Sequence, residues 1–106
     1  MGLPSLSAEQ RAAALEKAAA ARRTRAQIKE RLKRNGTSLG EVLAAADSNE
    51  VIGKLRVAEV LESMPGVGKI RAAELMQRLG IAPSRRLRGL GSKQRSALER
   101  EFPARR

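Results

Sequence analysis

Met64-Pro65-Gly66-Val67-Gly68-Lys69-Ile70-Arg71-Ala72-Ala73 is the stretch on which the reading of this chain turns. Pro65 cannot continue a preceding helix. Gly66 permits positive φ and close backbone approach, Val67 supplies an apolar anchor, and Gly68 opens a new helix with no side chain in the way. The stretch therefore predicts a helix end, a tight Gly-Val-Gly hairpin and a second helix. The first N–H groups of that helix have no intrahelical partner, and its dipole favours negative charge there. The amides of Gly66, Gly68 and Lys69 are expected to converge on one anion, with Lys69 and Arg71 beside it. A nucleic-acid phosphate is the ligand these features imply. An ordinary helical corner with packing glycines is the alternative, and the flanking cations favour phosphate.

Working outward, the rest of the chain reads as helix. Ser7-Ala8-Glu9-Gln10 has capping-box spacing. Strong helix formers follow without interruption until Asn35-Gly36, so helix one is expected over roughly 8 to 34. Ala14, Ala21, Ile28 and Leu32 share one stripe, flanked on one side by Arg22, Lys29 and Lys33. Arg23, Arg31 and Arg34 lie on the other side. The first half of this helix offers only Leu15 and alanines to a core, so residues 1 to about 20 are expected to project or fray.

Ser38-Leu39-Gly40-Glu41 repeats the capping pattern and opens a helix near 39 to 47. Asp47-Ser48-Asn49-Glu50 starts a short turn carrying Val51, Ile52 and Leu55. A helix over 56 to 64 turns Val57, Val60, Leu61 and Met64 inward. After the hairpin, a helix over about 68 to 79 offers Ile70, Ala73, Met76 and Leu79 as its buried side, and Gly80 ends it. Ser92 is expected to cap a last helix near 93 to 101, which buries Leu98 and Phe102 before Pro103 stops it. No stretch alternates with period two. The fold is expected to be all-α: a long basic N-terminal helix over 1–36, a compact helical domain over 37–102 with a helix–hairpin–helix element, and a basic tail over 103–106.

Charge singles out the partner. Lys and Arg number 22 against 11 acidic residues, a net charge of +11 on 106 residues. The excess is segregated: residues 1–36 carry +6, residues 37–64 carry −3 and residues 65–106 carry +8. Both ends suit a polyanion, and the middle reads as scaffold. Cys and His are absent, which removes thiolate and imidazole metal sites, disulfides and the commonest general base. Phe102 is the only aromatic residue, so single-strand recognition by base stacking is disfavoured. No apolar run is long enough to span a bilayer, and no signal peptide is evident. A cytoplasmic protein without cofactor or metal is expected.

A second basic element is Ser84-Arg85-Arg86-Leu87-Arg88-Gly89-Leu90-Gly91. Arginine suits forked phosphate contacts or a minor groove. Leu87 reads as the apolar pin of the segment, and Gly89 and Gly91 as points of close approach or sharp turning. A solvated loop is the plain alternative.

The hairpin pattern, Pro-Gly-hydrophobic-Gly-Lys with alanine a few positions on, resembles the helix–hairpin–helix of many DNA-binding proteins. It also resembles the helix-two-turns-helix region of ribosomal protein S13-like folds. Over nearly the whole chain, Glu9-Gln10-Arg11-Ala12-Ala13-Ala14-Leu15-Glu16-Lys17-Ala18, Gly66-Val67-Gly68-Lys69 and Arg85-Arg86-Leu87-Arg88-Gly89-Leu90-Gly91 are similar to the actinobacterial integration host factors. The resemblance implies a monomeric, nucleoid-associated binder of double-stranded DNA with little sequence preference. It also implies effects on DNA shape and supercoiling and host support of phage integrase complexes. Carried over by residue, Pro65, Gly66, Gly68 and Lys69 form one contact, and Arg85, Arg86 and Arg88 the other. Phe102-Pro103-Ala104-Arg105-Arg106 matches no such pattern. Two basic ends around a less basic centre suggest that one molecule touches two duplexes or two distant parts of one. An RNA-binding ribosomal-type factor is the alternative. A DNA-repair enzyme fragment is weaker, because no base or acidic partner accompanies Lys69 as a nucleophile. A membrane-surface helix is weaker still, because helix one lacks bulky apolar residues.

Overall fold

The computed structural model describes residues 7–103. Within them the fold is all-α. The expected basic tail over 103–106 lies outside the described residues apart from Pro103.

α1 spans Ala8–Lys33. The Ser7 hydroxyl accepts the Gln10 N–H at 3.0 Å, and the Gln10 side chain accepts the Ser7 N–H at 2.9 Å. These two bonds satisfy donors that the helix start would otherwise leave free. At the other end Asn35 takes a left-handed φ of 58°, and the Gly36 N–H donates to the Arg31 carbonyl at 2.7 Å. Ile28 and Leu32 are buried, whereas residues 7–18 are exposed throughout. Only the second half of α1 therefore docks on the core.

α2, Leu39–Ser48, starts at Ser38, whose hydroxyl accepts the Glu41 N–H at 3.1 Å. The single-turn α3, Glu50–Gly53, is held by Asn49, whose carboxamide oxygen accepts from Val51 and Ile52 at 2.9 and 3.2 Å. α4, Val57–Glu62, buries Val57, Val60 and Leu61 at its centre. α5, Gly68–Arg78, follows the hairpin and ends at Gly80, which has a φ of 71°.

The inward face of α5 differs from the sequence expectation. Ala72, Leu75 and Met76 are buried and Leu79 packs partly against the core, whereas Ile70 and Ala73 face solvent. Residues three apart drift about 60° around a helix at each step, so Ile70, Ala73, Met76 and Leu79 cannot share one face. Ala72, Leu75, Met76 and Leu79 have the spacing of a single stripe.

The start of α6, Ser92–Glu101, also differs. Ser92 is the first helical residue rather than the cap, which falls on Gly91. Gln94 folds back to accept the Gly91 N–H at 3.1 Å and donates to the Gly80 carbonyl at 2.9 Å, tying α6 to the end of α5. Leu98 enters the core and Phe102 packs at its edge. On the surface, the Arg95 guanidinium grips Asp47 through two bonds of 2.9 and 3.0 Å, bracing α6 against α2.

Candidate nucleic-acid interface

At the hairpin, the Val67 N–H donates to the Met64 carbonyl at 3.2 Å. Pro65 and Gly66 are the central residues of this turn. Proline in that position followed by a glycine with φ of 77° is the type II pattern. Val67 is buried and pins the turn. Gly68 then takes a φ of 68°, and α5 begins with no side-chain cap. No hydrogen bond among the described residues occupies the N–H groups of Gly66, Gly68 or Lys69. A Cβ on Gly66 or Gly68 would meet no atom within 4 Å, so the space over both residues is open. Glycine is required there by backbone conformation rather than by crowding.

Lys69 and Arg71 are exposed and have no carboxylate at ion-pair distance among the described residues. Across a groove from the hairpin, α1 presents Lys29 and Lys33. The groove is of mixed charge: Glu30, Glu59 and Glu62 also line it, and Lys29 lies 3.8 Å from Glu59. Arg22 is on the same side of α1, two turns earlier. Arg23 is on the far side, paired with Glu16 at 3.4 Å. The fold thus brings Lys29 and Lys33 to the hairpin and separates Arg23 from it.

The arginine segment lies elsewhere. Leu87 is buried at the head of a 3₁₀ turn, Leu87–Gly89. Arg85, Arg86 and Arg88 remain exposed. The Arg85 guanidinium folds back to donate to the Gly89 carbonyl at 3.2 Å, and a Cβ on Gly89 would sit 3.1 Å from Arg85 Cδ. Gly89 therefore makes room for a guanidinium. Arg88 packs over Gly53, where a Cβ would come within 3.0 Å of the Ala46 carbonyl and 3.4 Å of Arg88 Cβ. The Glu50 carboxyl is held below its ordinary range by a hydrogen bond from Lys54, then by the charges of Lys54 and Lys17 and, more weakly, of Arg88. Among the described residues Arg85, Arg86 and Arg88 have no carboxylate at ion-pair distance, and Arg88 feels Glu50 only through its longer-range charge.

One cation escaped the sequence reading. Arg56 pairs with Arg86 in an isolated antiparallel bridge. The Val57 N–H donates to the Arg85 carbonyl and the Leu87 N–H to the Leu55 carbonyl, each at 2.9 Å. Arg56 precedes α4, where Ser, Asp or Asn is the usual cap, and the Glu59 side chain accepts its N–H at 3.5 Å. An arginine where a cap belongs was the available signal. The acidic balance of residues 37–64 concealed it.

The two basic clusters sit at opposite ends of α4. The arginine bridge is at its start and the hairpin follows its end, separated by about 9 Å of helix. Among the described residues there is no acidic or Cys/His cluster able to hold a metal, and no helix is long and apolar enough to cross a membrane.

Comparison with known proteins agrees in kind. The family model of the S13-like H2TH domain matches residues 32–102. The chain is 64% identical over 102 residues to the integration host factor of Streptomyces coelicolor, with 96% of this chain and 95% of that one covered. It is 62% identical over 102 residues to the integration host factor of Mycobacterium tuberculosis, covering 96% and 97%. A solved structure of sIHF bound to an 8 bp palindromic DNA superposes with a TM-score of 0.80 at 62% identity, covering 82% of this chain and 98% of that one.

Proposed function

The chain belongs to the integration host factor family, with an S13-like H2TH domain, and from that premise we propose that it is an architectural protein of duplex DNA. It is not an enzyme: its chemistry is binding. It grips the sugar–phosphate backbone with low sequence preference and acts on DNA bending, supercoiling or compaction. The observation that carries this reading is the open Gly66–Lys69 hairpin, whose Gly66, Gly68 and Lys69 amides and flanking Lys69 and Arg71 side chains have no partner among the described residues.

The contacts proposed for the hairpin are Pro65, Gly66, Val67, Gly68, Lys69 and Arg71, with Val67 acting from beneath as the anchor. Lys29 and Lys33 extend that patch, and Arg22 and Arg23 belong to the basic arm of α1. Arg85, Arg86 and Arg88 form the second patch, joined by Arg56. The placement of the two patches at opposite ends of α4 supports a monomer that touches two duplexes, or two separated parts of one. Residence on the nucleoid and action beside phage integrase complexes follow from the same reading. An RNA-binding ribosomal-type factor is the weaker alternative, because the solved structure named above is bound to DNA.

The test is a salt-titrated binding curve on random-sequence DNA duplex with matched RNA alongside. Six or so neutralised phosphates predict a steep fall of affinity with salt. Equal or tighter binding to RNA would reverse the assignment. Single-molecule tethering tests the bridging, which looping or compaction supports and its absence at every occupancy excludes.

A further inference from the structure

Among the described residues, Ile70 and Leu15 are the large hydrophobic side chains left exposed, Ile70 at 78%. Leu15 lies on the projecting half of α1. Ile70 lies in the first turn of α5, between Lys69 and Arg71, opposite the buried face of Ala72, Leu75 and Met76. A β-branched residue is a poorer helix former than Lys, Arg or Glu, and here it gains nothing from the core. Side chains on a helix lean toward its N-terminus, so Ile70 leans toward the hairpin mouth. Nothing lies within 4 Å of the Cβ positions of Gly66 and Gly68 there. The exposed Ile70 therefore lies within the first turn of the same helix start as the proposed phosphate cradle, with Lys69 and Arg71 as its chain neighbours.

We propose that Ile70 is a sugar-contacting residue that makes the hairpin prefer DNA to RNA, an inference that rests on the phosphate reading of the hairpin. Along a strand, a sugar lies between successive phosphates. Lys69 and Arg71 drawn to phosphates set Ile70 against the deoxyribose between them. The 2′ carbon of deoxyribose is apolar and loses nothing by contact with isoleucine. In RNA the same position carries a hydroxyl that donates and accepts. Ile70 would strip it of water and offer no partner in return.

The test measures the full chain on a random-sequence DNA duplex and on the same sequence as RNA, over a salt series. Ile70→Ala is expected to weaken DNA binding about five- to tenfold at every salt concentration, from the apolar area lost. The salt slope stays unchanged, because no phosphate contact is removed. RNA binding changes less than about twofold, so the DNA preference narrows by nearly the same factor. Ile70→Val retains most of the DNA affinity. Ile70→Asn narrows the preference further by offering the 2′-hydroxyl a partner. Thermal melting of each variant should match the parent, since the side chain supports no core. Equal losses on both duplexes, or DNA binding by Ile70→Ala within about twofold of the parent, would overturn the inference. Lys69→Ala separates the two levels. If it lowers the salt slope while Ile70→Ala has no effect, the sugar contact alone is wrong. If it leaves the slope unchanged, the hairpin reading fails and the sugar contact falls with it.

Discussion

Arg56 and Arg86 stand directly opposite each other across an isolated antiparallel bridge. The flanking residues, not the arginines, make the hydrogen bonds, so this is the closer of the two antiparallel pair geometries. Like charges directly opposite are destabilising in the free protein. On the proposed backbone contact, a phosphate between them would remove that repulsion, so the pair would cost stability in the free protein and favour binding.

Replacing Arg56 or Arg86 with Ala should therefore lower the slope of log affinity against log salt by about 0.9 for each lost phosphate contact. The loss should be alike for all duplex sequences. The free variants should melt no lower than the parent. An unchanged slope in both, or a loss confined to one sequence, would contradict a backbone contact here.

Gly68 tests the hairpin. Its φ of 68° is strained for any β-branched residue, although a Cβ would meet no atom. Gly68→Val should cost roughly 2 kcal/mol of stability in denaturant unfolding, from backbone strain alone. At temperatures where the variant is folded, duplex binding should also weaken, because the amide cluster shifts. Full binding by a destabilised variant would show that these amides hold no phosphate.

The Asp47–Arg95 pair predicts a pH dependence. The hydrogen bonds from Arg95 chiefly hold the Asp47 carboxyl below its ordinary value of 3.8; desolvation opposes them, and the Arg95 charge adds to them more weakly. A folded-state value below the unfolded one means that the pair stabilises fully above the ordinary value. The contribution is lost as pH falls through the folded value. Asp47→Asn should thus melt below the parent near neutral pH, with the gap closing in acid. Melting temperatures of both proteins from about pH 7 to about pH 2.5 would show it. A gap independent of pH would mean that the charge of Asp47 contributes nothing.

Residues 8–18 of α1 bury nothing against the core. Their amides should exchange quickly in the free protein and slowly on duplex DNA, as expected of a basic arm that orders on binding. Slow exchange before DNA is added would remove this role.

Much of the molecule was legible because its signals are local. Ser7, Ser38 and Asn49 act within three residues of themselves, and periodic apolar positions mark Ile28 and Leu32 in α1 and Val57, Val60 and Leu61 in α4 as buried. Pro65, Gly66 and Gly68 encode their turn through backbone conformation alone. The errors arose where a short-range pattern was ambiguous. Ile70 and Ala73 looked like core because they are apolar and three apart, and Ser92 looked like a cap although Gln94 supplies the bond.

Amino-acid order by itself determined the helices, the hairpin, the surplus of positive charge and the two basic motifs. Each depends on backbone preference or composition within a few residues. Only tertiary structure decided which cations stand together. It set Arg56 beside Arg86, thirty positions away along the chain, brought Lys29 and Lys33 to the hairpin and turned Ile70 outward. The physical reason is that side-chain neighbours across a fold follow from how helices pack through shared buried faces. That geometry belongs to no single segment.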